Sequence, residues 1–567
     1  MKLKTLTAMK LKTLTACFLT IGSLAYAQVQ MSDGPALDND KNNKMNRMLG
    51  GDETSFYSYR IRSKGKGTSF YVEKYDKKTL KPLFSKEISL GEENQTKIED
   101  VEYSQGNVFI FRRQYDKKAD KMTLFFQTVS SAGVVSEQLK EILTVSSDHY
   151  EFVDFDIYPN PTQTKFVIKA AHKANKTDSY KTDLILMDAT SQKKLWTKTV
   201  DQNLHSSGSW GTGFVASLFG IDATKFDSYG YIGLHVDKND NIYYCVTELA
   251  KNSTDKDKKY KLKVYTLNAA DQKPKQLDLG FDDDYYVKDI EFSKANDNEI
   301  VIGGFLKDVV ERKGRDLVKV GIFSFKINTT SNTVAAKTVK FFDDKLLTDL
   351  ESNPRRSRYF KYKLDYIIPV GDAVYYVGEQ YSEQYNQNSN NSGFGGIGGF
   401  GGMGASNGYY TYEYMDVIVA KLNTKGEFEW IKNSPLRQND RVNGAAHVFK
   451  QYIAVATSKN LYILNDDHPK NIERYEKADF EPKDLKNVSG IHGSNFVCNT
   501  MSLTDGKVTN RTVLMKNDDF CFAPIQERNP QFMPPSDTEI FVQGANNEIY
   551  IYTEDKGQDR FSKIKFE

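Results

Sequence analysis

The chain is predicted to be an all-β protein, a β-propeller of seven or eight blades, each a three- to four-stranded antiparallel sheet. Three observations point there. Short runs of Tyr, Phe, Val and Ile alternate with polar residues from about residue 56 onward, the period-two signature of half-buried strands. Helical periodicity is nearly absent. A hairpin unit of constant form returns many times at irregular spacing, which is the mark of a repeat architecture. A unit of three or four strands cannot bury both its faces alone and must stack on its neighbours, and radial stacking closes a propeller. An array of β-sandwiches is the competing fold, but sandwiches lack a repeating triplet of strands.

The first 27 residues are expected to be removed. Residues 1–16 read MKLKTLTA twice, so translation starts at Met1 or Met9. A basic stretch through Lys12 precedes the apolar run 14–24, and Ala25-Tyr26-Ala27 follows; basic, apolar and small-residue segments in that order form a secretory signal peptide cut after Ala27. A rival reading, a lipid-attachment box at Leu14-Thr15-Ala16-Cys17, places the apolar run after the cysteine, where it cannot serve as the leader's core. Losing the leader's four lysines moves the formal charge from +2 to −2, so no basic field draws the chain to nucleic acid. No later segment is apolar for the roughly 20 residues that a membrane-spanning helix needs. The expected product is a soluble periplasmic protein, with the cell surface or secretion as alternatives. It comprises a flexible segment at 28–50 and one propeller domain at 51–567.

Within that domain the middle strand of each unit ends at an Asp or Asn: 70–75 at Asp76, 182–187 at Asp188, 262–267 at Asn268, 318–327 at Asn328 and 417–422 at Asn423. Short Asx side chains tolerate left-handed backbone and bond their own chain, which suits a turn. The preceding strands are 165–170, 241–246, 299–304, 373–378, 452–457, 496–501 and 548–553. The last strands (540–542, 549–552 and 561–566) are expected to pair with an incomplete N-terminal unit at 56–90 and so close the ring.

One unit carries a family resemblance. Residues 372–433, apart from an insertion, contain Val374-Tyr375-Tyr376-Val377-Gly378, Asp416, Ala420-Lys421-Leu422-Asn423, Gly426 and Trp430. This resembles the seven-bladed β-propeller repeat of many secreted bacterial proteins. The resemblance covers one blade, and it implies a scaffold without implying a reaction.

Residues able to carry chemistry are sparse. The seven histidines are scattered, and none stands at a metal or triad spacing. With Cys17 removed, Cys245, Cys498 and Cys521 remain, which is no disulfide framework; Cys498 and Cys521 either pair or sit as core thiols. Asp237, Asn239 and Asn241 resemble the start of a calcium loop but lack its glycine, so a hairpin turn is expected instead. The acidic run 282–284 and the basic run 355–358 read as solvated loops. No catalytic residue, cofactor or metal site is assigned.

The sharpest oddity is the insertion at 386–408, where nine of the chain's 38 glycines fall between Gly393 and Gly408. Phe394, Ile397, Phe400 and Met403 recur among them every third residue. Large apolar side chains on a mobile backbone are costly to expose unless they meet a partner. A second aromatic segment, with Trp210 and Phe214 among glycines, is expected on the same face. Two readings follow. The favoured one is a non-catalytic scaffold that binds an envelope or outer-membrane protein through these six residues, as an accessory or plug subunit of a secretion or transport assembly. The alternative is a glycan-binding or carbohydrate-active periplasmic propeller.

Overall fold

The computed structural model describes residues 29–38, 43–64, 67–89, 96–146, 154–160, 162–173, 180–202, 231–249, 260–277, 279, 285–287, 290–296, 298–312, 315–350, 361–386, 409–443, 451–475, 484–489, 493–516, 521–522, 541–555 and 557–567. Eight small antiparallel sheets stand in a ring, an eight-bladed β-propeller. Blades 1 to 7 occupy 43–88, 97–146, 154–202, 231–277, 285–341, 361–443 and 452–515 in chain order. Blade 8 combines strands from 521–565 with strands from 30–38.

The first strands of successive blades lie side by side around the centre, from 43–51 through 97–104, 154–159, 231–236, 291–296 and 361–370 to 452–456. The first-strand segment 541–543 of blade 8 returns to 43–51. The middle strands are buried on both faces, more deeply than a half-buried reading allows. In Asn107–Asp116, Val108 and Ile110 pack in the cluster shared with blade 1, and Phe109 and Phe111 in the one shared with blade 3. That double burial explains the unbroken apolar run Val108-Phe109-Ile110-Phe111. Fourth strands such as Pro82–Ile88 and Thr333–Phe341 keep one face exposed and alternate as expected.

Ring closure departs from expectation in two ways. Residues 28–50, read as flexible, supply the strands Gln30–Asp33, Leu37–Asp38 and most of Asn43–Gly51. The unit expected to be incomplete is a full sheet, because Asn43–Gly51 is its first strand. The last blade instead takes its outer strand from Gln30–Asp33, paired with Ser562–Lys565. The polar letters of NKMNRMLGG hide the strand: Met45, Met48 and Leu49 are buried, and its register shifts between Met45 and Arg47 and again between Met48 and Gly50. Gly50 has φ +99°, and a Cβ on Gly51 would lie 2.1 Å from the Ser55 carbonyl oxygen. A buried aromatic cluster of Phe56, Tyr75, Tyr550 and Phe561 seals the same seam.

The Asx turns stand where expected, with a different division of labour. Asp76, Asp188, Asn268, Asn328 and Asn423 each accept bonds from backbone N–H groups two to four residues on. The left-handed residues come later, at Leu80, Gln192, Asn332 and Gly426, so the Asx side chain shapes the turn without itself adopting that conformation. The strands near 452–457 and 496–501 belong to one blade, not two. Helices, nearly absent from the sequence pattern, occur among the described residues as two short segments of about two turns each, Asp344–Leu350 and Pro469–Tyr475.

Candidate functional site

Because strands alternate direction, the two ends of the ring are chemically distinct. At one end lie the turns from first to second and from third to fourth strand. At the other lie the links from second to third strand and from blade to blade. The first end carries short turns such as 105–106, 329–332 and 371–372. The second carries 203–230, 351–360, 387–408 and both helices. These two are called the turn end and the link end.

The polarity of the second strands follows the same axis, since each runs from turn end to link end. Val108–Phe111 is followed by Arg112-Arg113-Gln114, Val374–Val377 by Glu379-Gln380, Leu461–Leu464 by Asn465-Asp466-Asp467, and Ile549–Tyr552 by Thr553-Glu554-Asp555. Much of this polar half is buried: Arg112, Glu379, Gln380, Asn465, Asp466, Asp467 and Thr553 are all sequestered from water. Burying such groups costs stability unless each finds a partner.

At the blade seams the partners are ion pairs. Arg47 of blade 1 reaches Asp100 at 2.8 Å and Glu102 at 2.7 Å in blade 2. Arg60 meets Glu73 at 3.1 Å and Asp559 of blade 8 at 2.8 Å, joining positions 499 apart in sequence. Burial pulls both guanidiniums down, but the facing carboxylates more than offset it and hold them above the usual arginine range.

Blade 6 is the most elaborate. A line of bulges crosses its strands at Leu364/Tyr366, Glu379/Tyr381 and Tyr414/Asp416. Beyond that line three long strands continue as a ribbon, Tyr381–Asn386, Tyr409–Tyr414 and Gln438–Asn443. Buried Asp416 sits at the root, bonded by Arg437 and by Asn433 Nδ2 at 2.7 Å. Burial lifts its carboxyl above the ordinary carboxylate range even against those donors. Tyr452 of blade 7 donates to Asp365 at 2.8 Å, and Gln438 Nε2 donates to the Asp466 carbonyl at 2.8 Å. Tyr381, Tyr412 and Tyr414 fill the interior. The helix Asp344–Leu350 lies against the strand Phe428–Asn443, whose Gln438 and Asn439 also pair in parallel with Val488–Ser489. The ribbon is thus a braced extension at the link end, with Asn386 and Tyr409 at its outer end.

The six predicted contact residues, Phe394, Ile397, Phe400, Met403, Trp210 and Phe214, lie outside the described residues, as do 282–284 and 355–358. Their roots are described: Asn386 and Tyr409 flank one segment, Gln202 and Tyr231 the other, and both pairs stand at the link end. Asp237 forms the expected hairpin turn. Its Oδ1 accepts from the N–H groups of Asn239 and Asn241, and its Oδ2 from Asn241 Nδ2. Cys498 is a free, buried thiol, as is Cys245, so the open question of a bridge to Cys521 resolves to a core thiol. Of the residues quoted for the repeat resemblance, Val374–Val377 and Asp416 are buried, Gly426 has φ +82°, and Trp430 Nε1 donates to the Thr504 carbonyl at 3.1 Å. Sequence reading missed the polar half. Its signal, an apolar-then-charged order within each second strand, was present in the letters.

No protein-family model and no curated protein sequence matches the chain. Among solved structures, the β-propeller domain of the trilobed protease from Pyrococcus furiosus is 11% identical with a TM-score of 0.34, over 84% of this chain and 97% of that one. The Nup133 β-propeller domain of Vanderwaltozyma polyspora is 10% identical with a TM-score of 0.31, over 82% and 100%. The polysaccharide lyase Uly1 is 10% identical with a TM-score of 0.37, over 78% and 90%.

Proposed function

We propose that this chain is an exported propeller of the bacterial cell envelope, related to the secreted propeller repeats that blade 6 resembles. It acts as a non-catalytic scaffold in the periplasm and docks an envelope or outer-membrane protein at the link end of its ring. One observation carries the reading: both glycine- and aromatic-rich insertions are rooted at the same end, one of them on a braced ribbon. A ribbon bounded by a line of bulges and extended by a fifth strand carries both roots of the segment that contains Phe394, Ile397, Phe400 and Met403, so a contact made there loads the ribbon and not the core.

The test is affinity capture from gently solubilised envelopes. The unmodified chain is compared with one in which 387–408 is replaced by a Gly/Ser linker of about ten residues, a change that loop entropy tolerates. A stoichiometric envelope protein held by the unmodified chain and lost from the variant is expected. Equal capture by both overturns the docking role of the loop. A solitary chain that binds envelope polysaccharide instead overturns the scaffold reading.

A further inference from the structure

The buried arginines divide into two kinds. Arg47, Arg60 and Arg437 each face a carboxylate across a seam or strand. Arg112 is equally buried, 3% exposed, yet among the described residues it meets only neutral acceptors. Its Nη2 donates to the Ser89 carbonyl at 2.8 Å and to Gln127 Oε1 at 2.6 Å. Gln127 is itself fixed, because its Nε2 donates to the Ser136 carbonyl at 2.7 Å. The Nε of Arg112 is buried without a hydrogen-bond partner. Burial is the one influence acting on this guanidinium, and it pulls the group down to about 10, the reverse of Arg47 and Arg60. It therefore remains charged at neutral pH, and among the described residues no counter-charge stands beside it.

The position is informative. Val108 and Ile110 point into the seam between blades 1 and 2, so Arg112, two residues further along the same strand face, continues that line toward the link end. Ser89 begins the link from blade 1 to blade 2. The guanidinium is thus held by two neutral oxygens through one nitrogen, while Nε, a further donor, is buried without a partner. A desolvated cation without a partner is costly, and an incoming anion recovers that cost.

We propose that Arg112 is the anchor of a carboxylate-binding site at the seam of blades 1 and 2, open to a ligand or partner that presents an acidic group at the link end. The site is independent of the loop at 387–408, so either proposal can fail alone. Two sources of carboxylate fit the same chemistry, a free small-molecule acid and an acidic side chain of a docked peptide.

The test uses the purified full chain at constant ionic strength. Chloride is replaced stepwise by acetate, or by a capped Gly-Glu-Gly peptide, while thermal unfolding is followed; ¹³C-acetate line broadening reports binding directly. The expected result is a saturable rise in Tm and saturable broadening. Both are lost in Arg112→Met and in Arg112→Gln, the latter retaining a donor for Ser89 or Gln127. In chloride alone Arg112→Met is expected to melt no lower than the unmodified chain, because it removes an uncompensated charge. Binding of the peptide about tenfold tighter than acetate assigns the site to an acidic partner, and equal binding assigns it to a free acid. Absence of saturable binding to the unmodified chain, or equal binding by both variants, overturns the site.

Discussion

The turn end and the link end of the ring are built from the same strands yet solve opposite problems. At the turn end the second strands are apolar on both faces, and the connections are short turns in which Asx side chains bond nearby backbone. Toward the link end the same strands become polar, and Arg60 finds Asp559 of blade 8 across a seam, 499 positions away in sequence. A repeat that served stability alone would carry its apolar run through the whole strand. The polar halves of the second strands share one end with the roots of both insertions, and residues that break the local rule of a repeat are a pattern expected at functional sites.

The largest expected effect breaks the link end at its closing seam. Asp559→Ala removes one of the two carboxylates paired with buried Arg60 and is expected to lower stability by about 3–5 kcal/mol, read by urea unfolding. The paired change Arg60→Met with Asp559→Leu is expected to recover most of that loss. If the single variant is as stable as the unmodified chain, the seam charges are ornamental and the contrast between ends collapses.

The next effect concerns an ionisable ring in the apolar half. His235 stacks on Phe292 of the next blade at 5.4 Å, its Nε2 is buried without a partner, and burial lowers its pKa to about 4. The folded state thus holds the neutral ring while the unfolded chain takes up a proton near 6.5. Stability is complete above that value and is lost as pH falls from about 6.5 toward 4, by about 2–3 kcal/mol. Urea midpoints across this window should show the loss, and His235→Phe should flatten that part of the profile. An unchanged profile in the variant would assign the acid sensitivity to the link end.

A smaller effect sharpens the account of the turn end. Asn328→Ala removes the acceptor for the N–H groups of Thr330 and Ser331 and is expected to cost about 1 kcal/mol, with no change at the link end. Smallest of all, the linker replacement of 387–408 is expected to shift stability by only about 0.7 kcal/mol, through loop entropy. A large loss on that replacement would mean that the insertion packs into the ring instead of standing on it.

The two ends were unequally legible. Asx turns are local: the side chain bonds N–H groups within four residues, so Asp76 or Asn423 announces its turn in the letters around it. Residues 28–50 read as a flexible segment because the strand Asn43–Gly51 is rich in polar residues and is interrupted by two register shifts, and only its pairing with Ser55–Lys64 reveals it as the first strand of blade 1. Asp416 was singled out as a blade-repeat position, but nothing near it in sequence shows that Arg437 enters the same buried pocket past a line of bulges.

By itself the sequence determined that this chain is all-β, that its unit is a repeated hairpin, and that the glycine-rich segment at 386–408 interrupts a blade. Those properties depend on period, turn chemistry and composition, which act over a few residues. Only the tertiary structure decided that there are eight blades, that residues 30–33 complete the last of them, and that Arg60 finds Asp559 while Arg112 finds no carboxylate. These are pairings between distant positions, and their energy comes from excluding water at seams that exist only once the ring has closed.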